Sequence, residues 1–364
     1  MSAAFTLSPQ AGEVFRSRLW MTTPLSSGPD HRKGKSMTVT AKALEREYQY
    51  PRGWFMVART EELSASEPLS IRLLGRKMVA YLDAQGRPAV LDSVCPHMGA
   101  DIAIGGKVDQ GGVRCPFHGW RFGADGRCNE IPYNKTIPPK ARVRAFPTRA
   151  INGNVFIWHD PEEGEPDYEL PDMAEYRDPS WVKWHLVRKD IRTVPHEIVD
   201  NIADRAHFPI VHGAGIAEFR NTFEGPRATQ YALNLHETLA AEKGGELVSR
   251  ATYHGPAFLM TELTGHHPAW MLICHTPIDK EHVAVWYGTM VKVPLPINAE
   301  SIKIAENYSE LGRIAFYQDV AIWENKEPAP NPLLVANDGP ILQARAWYAQ
   351  FFRPRDKAQA EAAE

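Results

Sequence analysis

The chain has 364 residues, enough to bury a sizeable core and to hold two domains. It is 43% hydrophobic and 23% charged, with a net charge of -3. There is no basic surplus to attract nucleic acid and no apolar run near the roughly 18 residues of a membrane span, and the four cysteines (Cys95, Cys115, Cys128, Cys274) are too few for a disulfide framework. Unpaired thiols suit a reducing compartment, and a cytoplasmic location is expected.

Residues 1–36 mix Ser, Pro and Gly with Arg16, Arg18, Arg32, Lys33 and Lys35 and show no sustained periodicity. They carry no clear signal-peptide core and are expected to be disordered, either as a transit peptide or because the true start is Met37. Residues 42–49 read as a short helix. From Trp54 to Trp158, β-type runs at 54–58, 77–82, 89–94 and 154–159 are punctuated by Gly and Pro, which predicts a small antiparallel β domain. The acidic, Pro-rich stretch 160–180 reads as a linker or wrapping loop. Strand-like runs follow at 181–191, 247–253, 257–264, 269–276 and 282–293. One helix is expected near Pro195 and another from Ala299 to Asn325. An antiparallel sheet with helices on one face makes an α+β fold. The expected boundaries are an extension over 1–41, a first domain over 42–162 and a second over 163–364.

Two ligand sets stand out. Cys95-x-His97 and Cys115-x-x-His118 are separated by seventeen residues and flanked by Pro96, Gly99, Pro116 and Gly119. Two Cys on one iron and two His on the other make a Rieske 2Fe-2S centre. The same four residues satisfy tetrahedral zinc, but Cys-x-His is a poor opening for a zinc finger. Further on, Asn201-x-x-Asp204-x-x-His207-x4-His212 supplies two imidazoles for a mononuclear iron. An unbroken helix would aim residues five apart in different directions, so Pro209 is expected to break it and let His207 and His212 converge. Asp200, Asp204 and His207 would share one helix face. The carboxylate ligand is expected at Asp319, with Glu324 and Glu306 as weaker candidates. Cys128 and Cys274 read as buried small residues rather than ligands. The runs 257–260 and 269–274 could line an apolar pocket. No nucleotide-binding glycine motif is present, so electrons are expected from a separate reductase or ferredoxin, ultimately from NAD(P)H.

Over about residues 50–353 the chain resembles the oxygenase component of Rieske non-haem iron oxygenases. Within that group it is most similar to the 3-ketosteroid 9α-hydroxylase oxygenase subunit and the sterol 7-desaturases. The stretches that carry the likeness are CPHMGADIAIGG, CPFHGWRFGADGRCNEIPY, DNIADRAHFPIVHG, ATYHGPAFLM and QDVAIWENKEPAPNPLLVANDGPILQARAWYAQFF. The resemblance implies an all-β Rieske domain followed by a helix-grip (START-like) catalytic domain. It implies Cys95, His97, Cys115 and His118 at the cluster, His207, His212 and Asp319 at the iron, and catalytic roles for Asp204 and Asn201. Asp204 would bridge the iron's His to a Rieske His of the next subunit in a head-to-tail homotrimer. The chain departs from the steroid hydroxylases in its N-terminal extension and in ending soon after Phe352. The expected activity is monooxygenation of a steroid-like or other bulky apolar substrate. The alternatives are the same chemistry on an aromatic or an amine, desaturation of a sterol, or a non-catalytic electron carrier or lipid binder.

Overall fold

Nearly every residue of the strands Gly53–Arg59 and Asn154–His159 is buried. Strands without a polar face need cover on both sides. The two pair antiparallel, and Thr148–Ile151 adds a third strand. A second sheet of Leu69–Leu73, Arg76–Leu82 and Pro88–Asp92 packs beside them. Four short strands, Lys107–Asp109, Gly112–Arg114, Arg121–Phe122 and Cys128–Glu130, form a lobe whose separate core includes Val79, Tyr81, Leu91, Val113 and Phe122. This is the antiparallel β domain expected from the first half of the chain. The computed structural model describes residues 49–184, 186–235, 246–265 and 267–354. The expected N-terminal extension, and all but the last residue of the helix expected over 42–49, lie outside the described residues.

The stretch 160–180 contains no helix or strand and wraps the β domain. The Trp54 indole N–H donates to the Tyr168 carbonyl at 2.9 Å, and the Trp54 backbone N–H donates to the Tyr168 hydroxyl at 3.1 Å. That hydroxyl lies where only glycine leaves room. A Cβ on Gly53 would approach it to 2.7 Å and one on Gly255 to 1.7 Å.

The second half builds an eight-stranded antiparallel sheet. In spatial order its strands are Trp181–Val182, His282–Lys292, Ala269–Pro277, Phe258–Thr264, Glu246–His254, Arg227–Leu235 and Gly215–Glu224. Val187–Arg192 also pairs with His282–Lys292. The single run expected over 181–191 is therefore two strands. The hairpin Gly215–Glu224/Arg227–Leu235 was not anticipated, because its polar alternate residues dilute the apolar pattern.

Side chains alternate across a strand. Phe258, Met260, Leu272 and Cys274 accordingly join Trp54, Phe156 and Trp158 in one core, while Leu259, Met271 and Ile273 face the helices. The sheet is thus covered on both sides, which accounts for its long apolar runs. The Thr276 hydroxyl donates to the Met56 carbonyl at 2.7 Å and ties the two halves together.

Among the described residues four α-helices complete the fold: α1 (Pro195–Asp200), α2 (His207–Val211), α3 (Ala299–Trp323) and α4 (Ile341–Ala349). The side chain of Asn298 caps α3 by accepting from the Ser301 N–H at 3.0 Å. Helix α4, absent from the sequence reading, packs against α1. The buried Asp200 carboxylate receives the Arg345 guanidinium there through both Nε and Nη2.

Candidate active site

The first ligand set sits on two loops with the same backbone pattern. The Cys95 N–H donates to the Ala100 carbonyl and the Gly99 N–H to the Cys95 carbonyl; Cys115 to Trp120 and Gly119 to Cys115 repeat the arrangement. Gly99 and Gly119 both adopt positive φ, at 76° and 72°, which closes each loop without a Cβ clash. Arg114 braces the second loop by donating to the Gly119 carbonyl at 2.9 Å while paired with Asp109 and Glu130. The loops bring together both buried thiols and the rings of His97 and His118, whose centroids are 4.6 Å apart. His97 also stacks on Trp120. Its Nδ1 is buried without a partner, as expected of a nitrogen that takes a metal. Burial and the neighbouring Cys115 push the Cys95 thiol up to about 11, so binding metal there must release a proton. The donor set, the orphaned nitrogen and the adjacent thiols fit a Rieske cluster. Cys128 is buried in the same small core as Cys95 and Cys115, and Cys274 in the larger core between the two halves.

The second set converges as well. One ligand atom each from His207, His212 and Asp319 can be chosen within 4.8 Å of one another, and theirs is the one such cluster among the described residues. The route differs from the one expected. Helix α1 stops at Asp200, and a turn over 201–206 separates it from α2, so Asp200, Asp204 and His207 do not share a helix face. Pro209 does not break a helix. It occupies the first turn of α2, where its missing N–H costs nothing. His212 is the C-cap of this short helix.

His207 Nδ1 lies 2.8 Å from the Asp204 carbonyl oxygen, which fixes the proton on Nδ1 and leaves Nε2 as the free lone pair. The Asp204 carboxylate accepts the backbone N–H groups of Ala206 and His207, and its Oδ1 is 3.6 Å from His207 Nδ1. The imidazole bond expected for that carboxylate goes instead to the carbonyl of the same residue. Burial would raise the Asp204 carboxyl, but the nearby His207 imidazole and the backbone N–H groups of His207 and Ala206 hold it below the usual range. His212 Nδ1 faces Gln318 Oε1 at 3.1 Å, and its Nε2 is 3.2 Å from Asp319 Oδ1. Burial depresses the His212 imidazole, but Asp319 outweighs it and lifts the group above its ordinary value. Glu324 pairs with Lys189 at 2.9 Å, and Glu306 is exposed; neither belongs to the cluster. Two imidazoles and a carboxylate fit a facial iron site.

These three residues open on a largely apolar cavity between α3 and the sheet, about 1010 Å³ including its mouth. Leu259, Met271, Ile273 and Phe316 line it. Asn201 lies in its wall and accepts from the Trp323 indole at 3.2 Å. Gln230, Asn234 and Thr261 also reach it and were missed from sequence. The even spacing of Gln230 and Asn234 along one strand face was the available signal.

The family model of the Rieske [2Fe-2S] domain matches residues 53–147, and that of the 3-ketosteroid 9alpha-hydroxylase C-terminal domain matches residues 157–352. A probable 3-ketosteroid-9-alpha-monooxygenase oxygenase component from Rhodococcus rhodochrous is 37% identical over 322 residues, spanning 84% of this chain and 80% of that protein. A 3-ketosteroid-9-alpha-monooxygenase oxygenase component from Mycobacterium tuberculosis is 35% identical over 84% of this chain and 82% of its own length. Cholesterol 7-desaturase nvd from Xenopus laevis is 28% identical over 91% of this chain and 80% of its own length. Dicamba monooxygenase bound to dicamba shares the fold at a TM-score of 0.68 and 19% identity, covering 86% of this chain and 99% of that one. With both halves matched and both ligand sets in place, the chain belongs to the Rieske non-haem iron oxygenases, in the branch of the 3-ketosteroid 9α-hydroxylase oxygenase components.

Proposed function

We propose that the protein is a terminal oxygenase that hydroxylates a steroid-like substrate with O₂ and externally supplied electrons. The observation that carries this reading is the convergence of His207, His212 and Asp319 on the wall of a largely apolar cavity. In this reading Cys95, His97, Cys115 and His118 hold the cluster, and His207, His212 and Asp319 hold the iron. Bound there, the cluster supplies single electrons and the iron offers open coordination positions for O₂. The Asp204 carbonyl fixes the tautomer of His207, and Gln318 orients His212. Asn201 keeps Trp323 in the cavity wall. The aliphatic lining excludes water and holds a rigid hydrocarbon skeleton by area burial.

A homotrimer suits the surface. Val94, Met98 and Phe117 beside the cluster ligands are exposed, as are Ile210 between the two iron histidines and Leu333 and Val335 near the turn that carries Asp204. Apolar groups exposed at both metal sites favour head-to-tail docking that closes into a ring. Asp204, part-exposed, could then meet a Rieske histidine of a neighbouring subunit. A separate reductase or ferredoxin would deliver electrons, and four free cysteines suit a cytoplasmic location.

Turnover with a generic reductase and a panel of steroids, sterols, aromatics and amines tests the reading. A steroid or sterol should stimulate O₂ uptake and yield a product heavier by one oxygen. A product lighter by two hydrogens would assign desaturation, and turnover of aromatics or amines alone would overturn the steroid reading.

A further inference from the structure

The sheet turns two buried polar side chains into the apolar cavity with their hydrogen bonding incomplete. Asn234 and Thr261 are each 3% exposed, and both line the cavity. Asn234 Oδ1 and Thr261 Oγ1 have no partner. A buried polar atom left unpaired costs free energy that a ligand can recover.

Chemistry fixes which way Asn234 points. Its Nδ2 donates to the Leu247 carbonyl at 3.1 Å and to Ser249 Oγ at 3.0 Å, with the Ala232 carbonyl at 3.4 Å. Carbonyl oxygens only accept, so the amide nitrogen must lie on that side and the flipped arrangement is excluded. Both amide protons are engaged, and Asn234 has only an acceptor left to offer. Thr261 can donate or accept and so does not discriminate.

The position of Asn234 is also set. It pairs in register with Leu247, which shares a small core with Ala305 and Tyr308 on the first half of α3. Asp319 lies eleven residues beyond Tyr308 on the same helix, about 16 Å along its axis. The acceptor therefore lies toward the first half of α3 and Asp319 toward its second half, with Ala251 and Met271 also in the cavity lining.

We propose that Asn234 reads the oxygen at the end of the substrate remote from the iron, and that it selects a hydroxyl over a ketone there. This rests on the steroid reading of the cavity. A hydroxyl donates its proton to Asn234 Oδ1, whereas a ketone oxygen brings only lone pairs to face another acceptor.

The test uses purified metal-loaded protein and two pairs of androstanes, one pair differing only as hydroxyl or ketone at position 3 and the other only at position 17. Affinities are measured by calorimetry without reductase, so the readout is independent of turnover. In one of the two pairs the hydroxyl should bind about tenfold more tightly, about 1.4 kcal/mol. Asn234→Leu should bring that ratio near one, and Asn234→Ser, whose own hydroxyl can donate, should raise the ketone to parity even if the leucine variant does not fold. Thr261→Val should leave the ratio unchanged. Equal affinities within both pairs for the wild type would mean that a water answers Asn234, and would overturn the proposal while leaving the steroid reading intact. No binding by any of the four would overturn the steroid reading and the proposal together.

Discussion

Asp319 is set apart from the other carboxylates by position rather than by type. It reaches His212 at 3.2 Å from near the C-terminal end of a long helix, while Glu324, the C-cap of that helix, is held by Lys189. Asp319→Ala should lower the iron content from about three to about two atoms per chain and leave the Rieske EPR signal intact, since the cluster ligands lie on separate loops. Retention of all the iron in this variant would move the ligand role elsewhere. The candidate ligand residues were legible because metal chemistry demands scarce residue types at restricted spacings. Asn234, Gln230 and Thr261 were not, because a polar residue in an alternating strand looks like one facing water. Only the packing of α3 over that face makes it an interior.

At the scale of elements, the helices were easier to place than the turns between them. The 25-residue α3 announced itself by length and periodicity, and so did the strands buried on both faces. Helix α2 has five residues, too short to carry a pattern, and Pro209 was misread because its effect depends on where the helix begins. Helix α1 is anchored by charge. Glu197 is 1% exposed and lies within ion-pair distance of Lys326 and, at 3.1 Å, of His196. Burial pushes its carboxyl up, but these partners outweigh it and hold it at about 2 against an ordinary 4.5. A carboxyl depressed on folding adds stability that is complete above pH 4.5 and lost as the pH falls toward 2. Glu197→Gln should therefore cost about 3 kcal/mol near neutral pH. In urea unfolding the gap to wild type should narrow below pH 4.5; a gap that holds steady with pH would assign the loss to packing.

On the scale of the whole molecule, the question is how the two metal centres communicate. The exposed apolar groups near each site favour a ring of subunits, so light scattering should give about three times the mass of one chain. Asp204→Asn should keep metals, assembly and substrate binding yet slow product formation about a hundredfold or more, with the pre-reduced cluster persisting after O₂ is added. Rapid reoxidation coupled to product would remove Asp204 from the path. Within one chain the two halves are keyed by Tyr168, seated between Gly53 and Gly255 with both Trp54 N–H groups bonded to it. Trp54 shares its core with Val90, whose strand ends at Asp92, three residues before Cys95. A methyl group added at Gly255, on the rim of the catalytic sheet, would therefore be felt at a cluster loop it never touches. In a collection of inactive mutants it would be filed among the failures of cluster assembly: pale protein, with every ligand still in its sequence.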